Sequence, residues 1–427
     1  MCPVRTIQSG PDAVQRPPAP SGDTALRALA PTHAPPALPD SAAALAKADA
    51  LADAFARDAA ARDRDRLLPW HELDAYVASG LWAITVPAEF GGPGLDSGTL
   101  AESVARIAAA DGSLGQIPQN HYYALEVLRV GGSEAQQRYF YERVLAGERF
   151  GNALAEIGHK DFKRRTRLLR DGERCYIEGI KFYCTGALYA HWIPTLVVDD
   201  SLGDGTTFLA FVPRWADGVS IIDDWDGFGQ RVTGSGSVHF ERVEVRPEWI
   251  VPFQASFERP TTIGPFAQLL HAAIDLGLAR GAFAATLDFV RDEARPWVDA
   301  KVERASDDPL AIERIGDIAV GIRAAEALLR RAARFVDAAQ AEPDARTVAE
   351  ASIAVAEVRA ATTVASLDAG SRLFELSGTS ATLDDRRLDR FWRNARTHTL
   401  HDPVRWKYHA IGNYVLNDVL PPRHGAL

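Results

Sequence analysis

Sulfur is scarce in this chain: its 427 residues include three cysteines and one methionine. Cys2, Cys175 and Cys184 make neither a Cys-x-x-Cys pair nor an even set. That excludes a disulfide-stapled scaffold and fits a reducing, cytoplasmic compartment with no disulfides. Positive charge is also in deficit. The formal net charge is -10 and no strongly basic block occurs, so a nucleic-acid surface is excluded as the main function. No run is long and apolar enough to span a bilayer, and no membrane segment is expected. A dinucleotide fingerprint is missing as well. Gly227-Phe228-Gly229 and Gly234-Ser235-Gly236 do not complete Gly-x-Gly-x-x-Gly between a strand and a helix, and both read as turns.

What is present is enough apolar sequence, 47% of residues, to bury a large core divided into two or three domains. Residues 1–40 are rich in Pro and Ala, which prevents regular helix and supplies little to pack, so they read as a loose tail. Asp12, Asp23 and Asp40 oppose a transit peptide there, and no apolar signal core is visible. Residues 41–150 carry helical patterns, interrupted at Leu81–Gly94 by glycine and proline. Residues 151–255 change to short runs of β-branched and aromatic residues separated by Gly and Asp clusters, as in a compact antiparallel sheet or barrel. Residues 256–427 return to long helices. Ile315, Ile318, Ile322, Ala325, Leu329 and Ala332 mark one apolar face, and Asp308-Pro309 supplies a cap and a first-turn proline. The expected fold is therefore α+β: an N-terminal helical domain, a central antiparallel β-barrel-like domain and a C-terminal four-helix bundle.

Chemistry concentrates near the C-terminus, in Phe391-Trp392-Arg393-Asn394-Ala395-Arg396-Thr397-His398-Thr399-Leu400-His401-Asp402-Pro403. Two imidazoles and a carboxylate there can donate hydrogen bonds, move a proton and stabilise a developing anion, as a redox cofactor requires. The candidate catalytic groups are His401, His398 and Asp402. His398, His401, Asp402 and His409 have no established metal-ligand spacing, so no metal is expected. Cys184 has no activating base assignable from sequence and reads as a small buried hydrophobe.

Several motifs together carry a family resemblance. They are Gly151-Asn152-Ala153-Leu154-Ala155-Glu156, Lys181-Phe182-Tyr183-Cys184-Thr185-Gly186, the loop Asp226-Gly227-Phe228-Gly229-Gln230-Arg231, and Arg295 within Glu293-Ala294-Arg295-Pro296-Trp297. With the helical, β, helical order, the chain resembles the acyl-CoA dehydrogenase superfamily over about residues 70–420. Ile117-Pro118-Gln119-Asn120-His121, Asp223-Asp224-Trp225 and Arg396–Pro403 are more similar to its flavin-dependent monooxygenase branch, which serves sulfur acquisition.

The resemblance implies a monooxygenase that takes reduced FMN from a separate flavin reductase, with FAD as the alternative cofactor, and forms a flavin hydroperoxide with O2. Its substrate would be a small organosulfur compound and its assembly a homotetramer. In that setting His401 would hydrogen-bond or protonate the peroxide and Thr185 would hold the flavin edge. Asn120, Asn152, Phe182 and Cys184 would lie against the flavin, Arg295 would face its phosphate, and Gln116 and Trp225 would meet the substrate. An FAD-dependent acyl-CoA dehydrogenase is the competing reading. Asp402-Pro403 weakens it, because a short carboxylate fixed before proline reaches poorly toward a substrate α-carbon. A non-catalytic scaffold of the same fold is the third reading.

Overall fold

Asp and Ser caps start many of the helices. In a computed structural model that describes residues 34–157, 163–202 and 205–427, the Asp40 carboxylate accepts from Ala43 N at 2.8 Å to open α1 (Ser41–Ala56). There follow α2 (Ala59–Asp65), α3 (Trp70–Ala78), α4 (Ser97–Ala110), α5 (Gly112–Gln116), α6 (Gln119–Gly131) and α7 (Glu134–Leu145). Residues 1–33, most of the expected loose tail, lie outside the described residues. Leu38 is already buried, so packed chain begins before Ser41.

The middle of the chain forms β1 (Arg167–Asp171), β2 (Arg174–Lys181), β3 (Trp192–Asp199), β4 (Thr206–Pro213), β5 (Val219–Ile222), β6 (Ser237–Val245) and β7 (Ile250–Pro252). They make one sheet in the order β5-β6-β2-β1-β3-β4-β7. Its pairs are antiparallel except β1 with β3. The barrel expectation is corrected: the sheet is open, because no pairing joins β5 to β7 among the described residues. A physical reason lies at the β7 edge. Gln136 of α7 donates its amide to Glu248 O and Ile250 O, both at 3.0 Å, so a helix covers backbone that closure would have used.

The last part holds α8 (Gln254–Phe257), α9 (Ile263–Asp292), α10 (Pro309–Ala341), α11 (Ala345–Ser377), α12 (Asp389–His398) and α13 (Arg405–Asn417). Asp308 caps α10 through Leu310 N at 2.8 Å with Pro309 in the first turn, as its sequence predicts. Of the expected apolar face, Ile318, Ile322, Ala325, Leu329 and Ala332 are buried and Ile315 is half-buried. The four-helix expectation is also corrected. Only α9, α10 and α11 of this part are long, and α9 finds a further neighbour in α4 of the N-terminal part. Small residues permit that approach, since a Cβ on Gly277 would sit 2.3 Å from Ala105 O. The N- and C-terminal helices consequently share one hydrophobic core, and a second core lies within the sheet. Cys175 and Cys184 are both free and buried; no described helix is long and apolar enough to cross a membrane.

A buried ion pair ties the entry of the β region to β2. Lys181 Nζ lies 2.7 Å from Glu156 Oε1, and Arg165 N and Thr166 N donate to the same carboxylate at 2.7 and 3.1 Å. Burial works to raise the Glu156 pKa, but Lys181 and the backbone donors outweigh it and lower the value from 4.5 to about 2. Burial lowers the Lys181 ammonium as well, against the pull of its partner; the short contact and the depressed carboxylate decide for an ionised pair. The folded carboxylate is the stronger acid, so its stabilisation is complete above about pH 4.5 and is lost as pH falls toward about 2. Glu156→Gln should flatten that part of the acid-unfolding curve in urea titrations between these pH values. An unchanged slope would assign the acid sensitivity to other carboxylates.

Candidate active site

A cleft of about 1440 Å³ runs between one face of the β region and the helices α6, α9 and α12. Two other cavities, about 300 Å³ beside Glu126 and Arg129 and about 10 Å³ beside Asp111, hold no imidazole. The large cleft is where the chemistry-bearing residues meet.

Its β-side wall is a hydroxyl chain. Thr233 Oγ1 donates to Gln230 O at 3.0 Å, so it must accept from Ser235 Oγ at 2.6 Å; Ser235 in turn accepts from Thr185 Oγ1 at 2.7 Å. A backbone carbonyl cannot donate, so the direction is fixed and Thr185 turns its lone pairs to the cleft. Nearby, Asn152 donates to Tyr183 O at 3.3 Å while its buried Oδ1 has no partner, and Thr397 Oγ1 is buried and unpartnered too. Both residues line the cleft. Unmet polar atoms in such positions are where a ligand's complementary atoms are accepted.

The loop bearing Trp225 and Phe228 is pinned to α12. Asn394 Oδ1 accepts from Gln230 N at 2.6 Å, and Gln230 O accepts from Trp225 Nε1 at 2.9 Å. Arg393 donates to Phe228 O at 2.6 Å. Gly229 is required by contact: a Cβ there would lie 2.1 Å from Arg393 O. Gly229→Ala should therefore push the loop off α12, cost about 1–3 kcal/mol and weaken flavin retention. Thermal melts and flavin titration check this, and an unaltered melt with unaltered affinity would mean the loop relaxes freely.

The helical wall carries three imidazoles. His271 and Asp275 lie four residues apart on α9, hence on one face; His398 ends α12 and His401 follows it. His398 Nδ1–H donates to Asp275 Oδ1 at 2.5 Å, and the other carboxylate oxygen pairs with the buried Arg359 guanidinium of α11. His398 Nε2 meets His271 Nδ1 at 3.0 Å. Burial works to raise the Asp275 pKa, but His398 and Arg359 together hold it below the ordinary carboxylate value. His271 is driven well below its ordinary value by burial, with the neighbouring rings adding to the effect.

His401 is oriented by one backbone contact. Its Nδ1 lies 2.7 Å from His398 O, which only accepts, so Nδ1 carries the hydrogen. Burial, with the neighbouring His398 adding to it, lowers its pKa to about 4, so the ring is neutral near pH 7 with a lone pair on Nε2. Gln116 donates its amide to that lone pair at 3.3 Å, leaving Gln116 Oε1 buried without a partner. The ring thus faces the cleft as a proton acceptor on a residue that is itself exposed.

Profiles of known families match at both ends: the acyl-CoA dehydrogenase N-terminal domain over residues 40–148 and the C-terminal domain over 269–406. Dibenzothiophene monooxygenase of Rhodococcus erythropolis is 35% identical over 392 residues, spanning 88% of this chain and 94% of that protein. A probable FMNH2-dependent monooxygenase, SfnC of Pseudomonas putida, is 34% identical, spanning 92% and 98%. The solved structure of FMN-bound TdsC from Paenibacillus sp. A11-2 superposes with a TM-score of 0.86 at 32% identity, covering 90% of this chain and all of that one. The chain belongs to the acyl-CoA dehydrogenase superfamily, in its flavin-dependent monooxygenase branch.

Against the family's expected site, the structure brings Thr185, Asn120, Asn152, Trp225, His401 and Asp402 into one cleft. Gln116 and His398 stand behind its surface, each in contact with an imidazole that lines it. Three residues expected at the flavin from the acyl-CoA dehydrogenase motifs, Cys184, Phe182 and Arg295, do not line this cleft. Cys184 is fully buried in the core of the sheet. Phe182 is half-buried, and its backbone bridges Ala155 at the cleft's edge. Arg295 is exposed beyond the end of α9, while His271 sits near the start of that 30-residue helix, so helix length alone separates them. Asp402 binds Gln268 Nε2 through Oδ2 at 2.8 Å and bonds neither histidine.

His271, Asp275, Arg359 and Gln268 escaped the sequence reading. A signal existed for two of them: His271 and Asp275 are polar residues at helical spacing in an otherwise apolar run of α9. His121, beside Asn120, is a satisfied core residue, bonded to Phe150 N at 3.1 Å and Trp82 O at 2.9 Å.

Proposed function

We propose that this chain is a reduced-FMN-dependent monooxygenase of a small organosulfur compound in sulfur acquisition, supplied with flavin by a separate reductase. We further assign it a cytoplasmic homotetramer, on the family resemblance and the cysteine usage. The observation that carries the reading is the identity of the base in the cleft. Among the described residues, Asp402 is the one carboxylate lining it, and Gln268 already engages that group. Beside it stands neutral His401, whose Nε2 acceptor takes one amide hydrogen from Gln116. An acyl-CoA dehydrogenase needs a carboxylate that reaches a substrate α-carbon, and Asp402, short, held by Gln268 and fixed before Pro403, reaches poorly toward one.

The residues present fit a flavin. Thr185 and Asn152 offer oriented acceptors for ring N–H groups, Thr397 adds an unpartnered hydroxyl, and Trp225 and Phe228 supply aromatic surface. FMN would supply, when bound and reduced, the two electrons that let O2 place one oxygen on sulfur and release the other as water. The chain's contribution is orientation and proton control. His401 Nε2 accepts or returns a proton while its Nδ1–H stays on His398 O. Asp275 fixes His398 so that its Nε2 faces His271, and the proton on that shared contact sets whether His271 offers the cleft a donor or an acceptor. Leu154, Leu196, Phe253 and Phe257 form an apolar wall that limits water, and Asn120 can hydrogen-bond a sulfinyl or sulfonyl oxygen.

The test is oxygen uptake with enzymatically reduced FMN across dibenzothiophene, dimethyl sulfone, methanesulfinate and methanesulfonate. Oxygen consumption matched to an oxygenated product is expected for at least one of them. Anaerobic bleaching of bound flavin by an acyl thioester, with no oxygenation of the panel, would replace this reading with the dehydrogenase.

A further inference from the structure

The three imidazoles also form a unit that proton control at His401 alone does not require. One ring nitrogen from each of His271, His398 and His401 lies within 4.8 Å of the others, and the ring centroids are 4.8–5.1 Å apart. The Asp275 carboxylate accepts from His398 Nδ1–H, the arrangement that orients a metal-binding imidazole and frees its Nε2 for a cation. His401 likewise has Nδ1–H tied to a carbonyl, which directs its lone pair to Nε2. Neither Asp402 nor His409 joins the cluster.

Two further observations point to a ligand. Gln116 Oε1 is buried and unpartnered on the amide that contacts His401, so it is an available acceptor for a cation-bound water. His271 and His401 line the cleft, which gives an entry path. A set of imidazoles without carboxylate or thiolate favours zinc-class cations over calcium or magnesium, and three such ligands plus water complete a tetrahedron.

We propose that His271, His398 and His401 hold a zinc-class divalent cation with water as the fourth ligand, and that its occupation switches oxygenation off. Ligation replaces the His271–His398 hydrogen bond and the Gln116–His401 hydrogen bond with three nitrogen–metal bonds, and frees the Gln116 amide to turn toward the cation-bound water. On ligation each ring keeps one hydrogen on its non-ligating nitrogen, and any second ring proton leaves to solvent. The switching half rests on the role proposed above for His401, whereas cation binding does not.

The experiment uses the metal-free full-length protein, titrated with Zn2+ by calorimetry and with Co2+ by visible absorption, in parallel with turnover. One cation per chain is expected, with the intense visible band of tetrahedral Co2+ and its displacement by Zn2+. Asp275→Asn should weaken binding about 10–100-fold. His401→Ala should weaken it at least as much; because that ring opens onto the cleft, this variant guards against loss of fold in the buried one. Zn2+ binding that survives both substitutions unchanged, or no binding at millimolar Zn2+, would overturn the site. Inhibition of oxygen uptake reversed by a chelator supports the switch. Binding without inhibition would overturn the switch and leave the site standing.

Discussion

His401→Phe is expected to lower organosulfur-dependent turnover by about 100- to 10,000-fold, the usual range for losing a positioned acid–base group. Phenylalanine keeps a ring of similar size in the cleft but has no Nε2 lone pair and no hydrogen for His398 O. Flavin affinity should change little, because Thr185, Asn152 and Trp225 lie on the β-side wall and none bonds to His401. His401→Gln is the informative companion, since an amide can still donate to a carbonyl but is a poor proton acceptor. Stopped-flow oxidation of reduced FMN in the presence of substrate, together with product analysis, separates the proton step from flavin binding. Wild-type rates in His401→Phe would remove this ring from the mechanism and return attention to His271.

Asp275→Ala should destabilise the protein by about 3–5 kcal/mol, the cost of removing one partner from a buried charged set. Arg359 is only 2% exposed and Asp275 fully buried, so the substitution strands a guanidinium in the core. Its Nε already lacks a partner, which leaves little to compensate the loss. The same change takes the acceptor from His398 Nδ1–H, so His398 can turn and the contact with His271 loosens. Asp275→Leu combined with Arg359→Met should recover much of the stability, because a well-packed apolar pair of similar volume often matches a buried ion pair. It should not recover turnover. Urea denaturation and oxygen uptake measured on the same variants check both halves; a single substitution costing under about 1 kcal/mol would show that water or another side chain replaces the carboxylate.

These two substitutions also mark how far the sequence could be read. The helix start at Asp308-Pro309 and the apolar stripe of α10 follow local rules of capping and periodicity, and they appear where those rules place them. The cluster between Phe391 and Pro403 was recognisable because its residues are neighbours in the chain, and His401 is oriented by a backbone group three residues away. Asn152 and Thr185 were reached through motif resemblance, and the fold supplied what the motif lacks: an unpartnered oxygen on one and a fixed hydroxyl direction on the other.

By itself the sequence determined the order of helical and β segments, the family and the location of one proton-handling cluster, since each depends on residues close in the chain. Tertiary structure alone decided that the sheet stays open, that Arg295 stands apart from the cleft and that Cys184 is core. It also assembled His398 with His271, Asp275 and Arg359, drawn from three helices and separated by up to 127 positions. The physical reason is range. Capping and periodicity act over a few residues, whereas a buried charge selects its partners from whichever helices pack around it, and no local pattern encodes that choice.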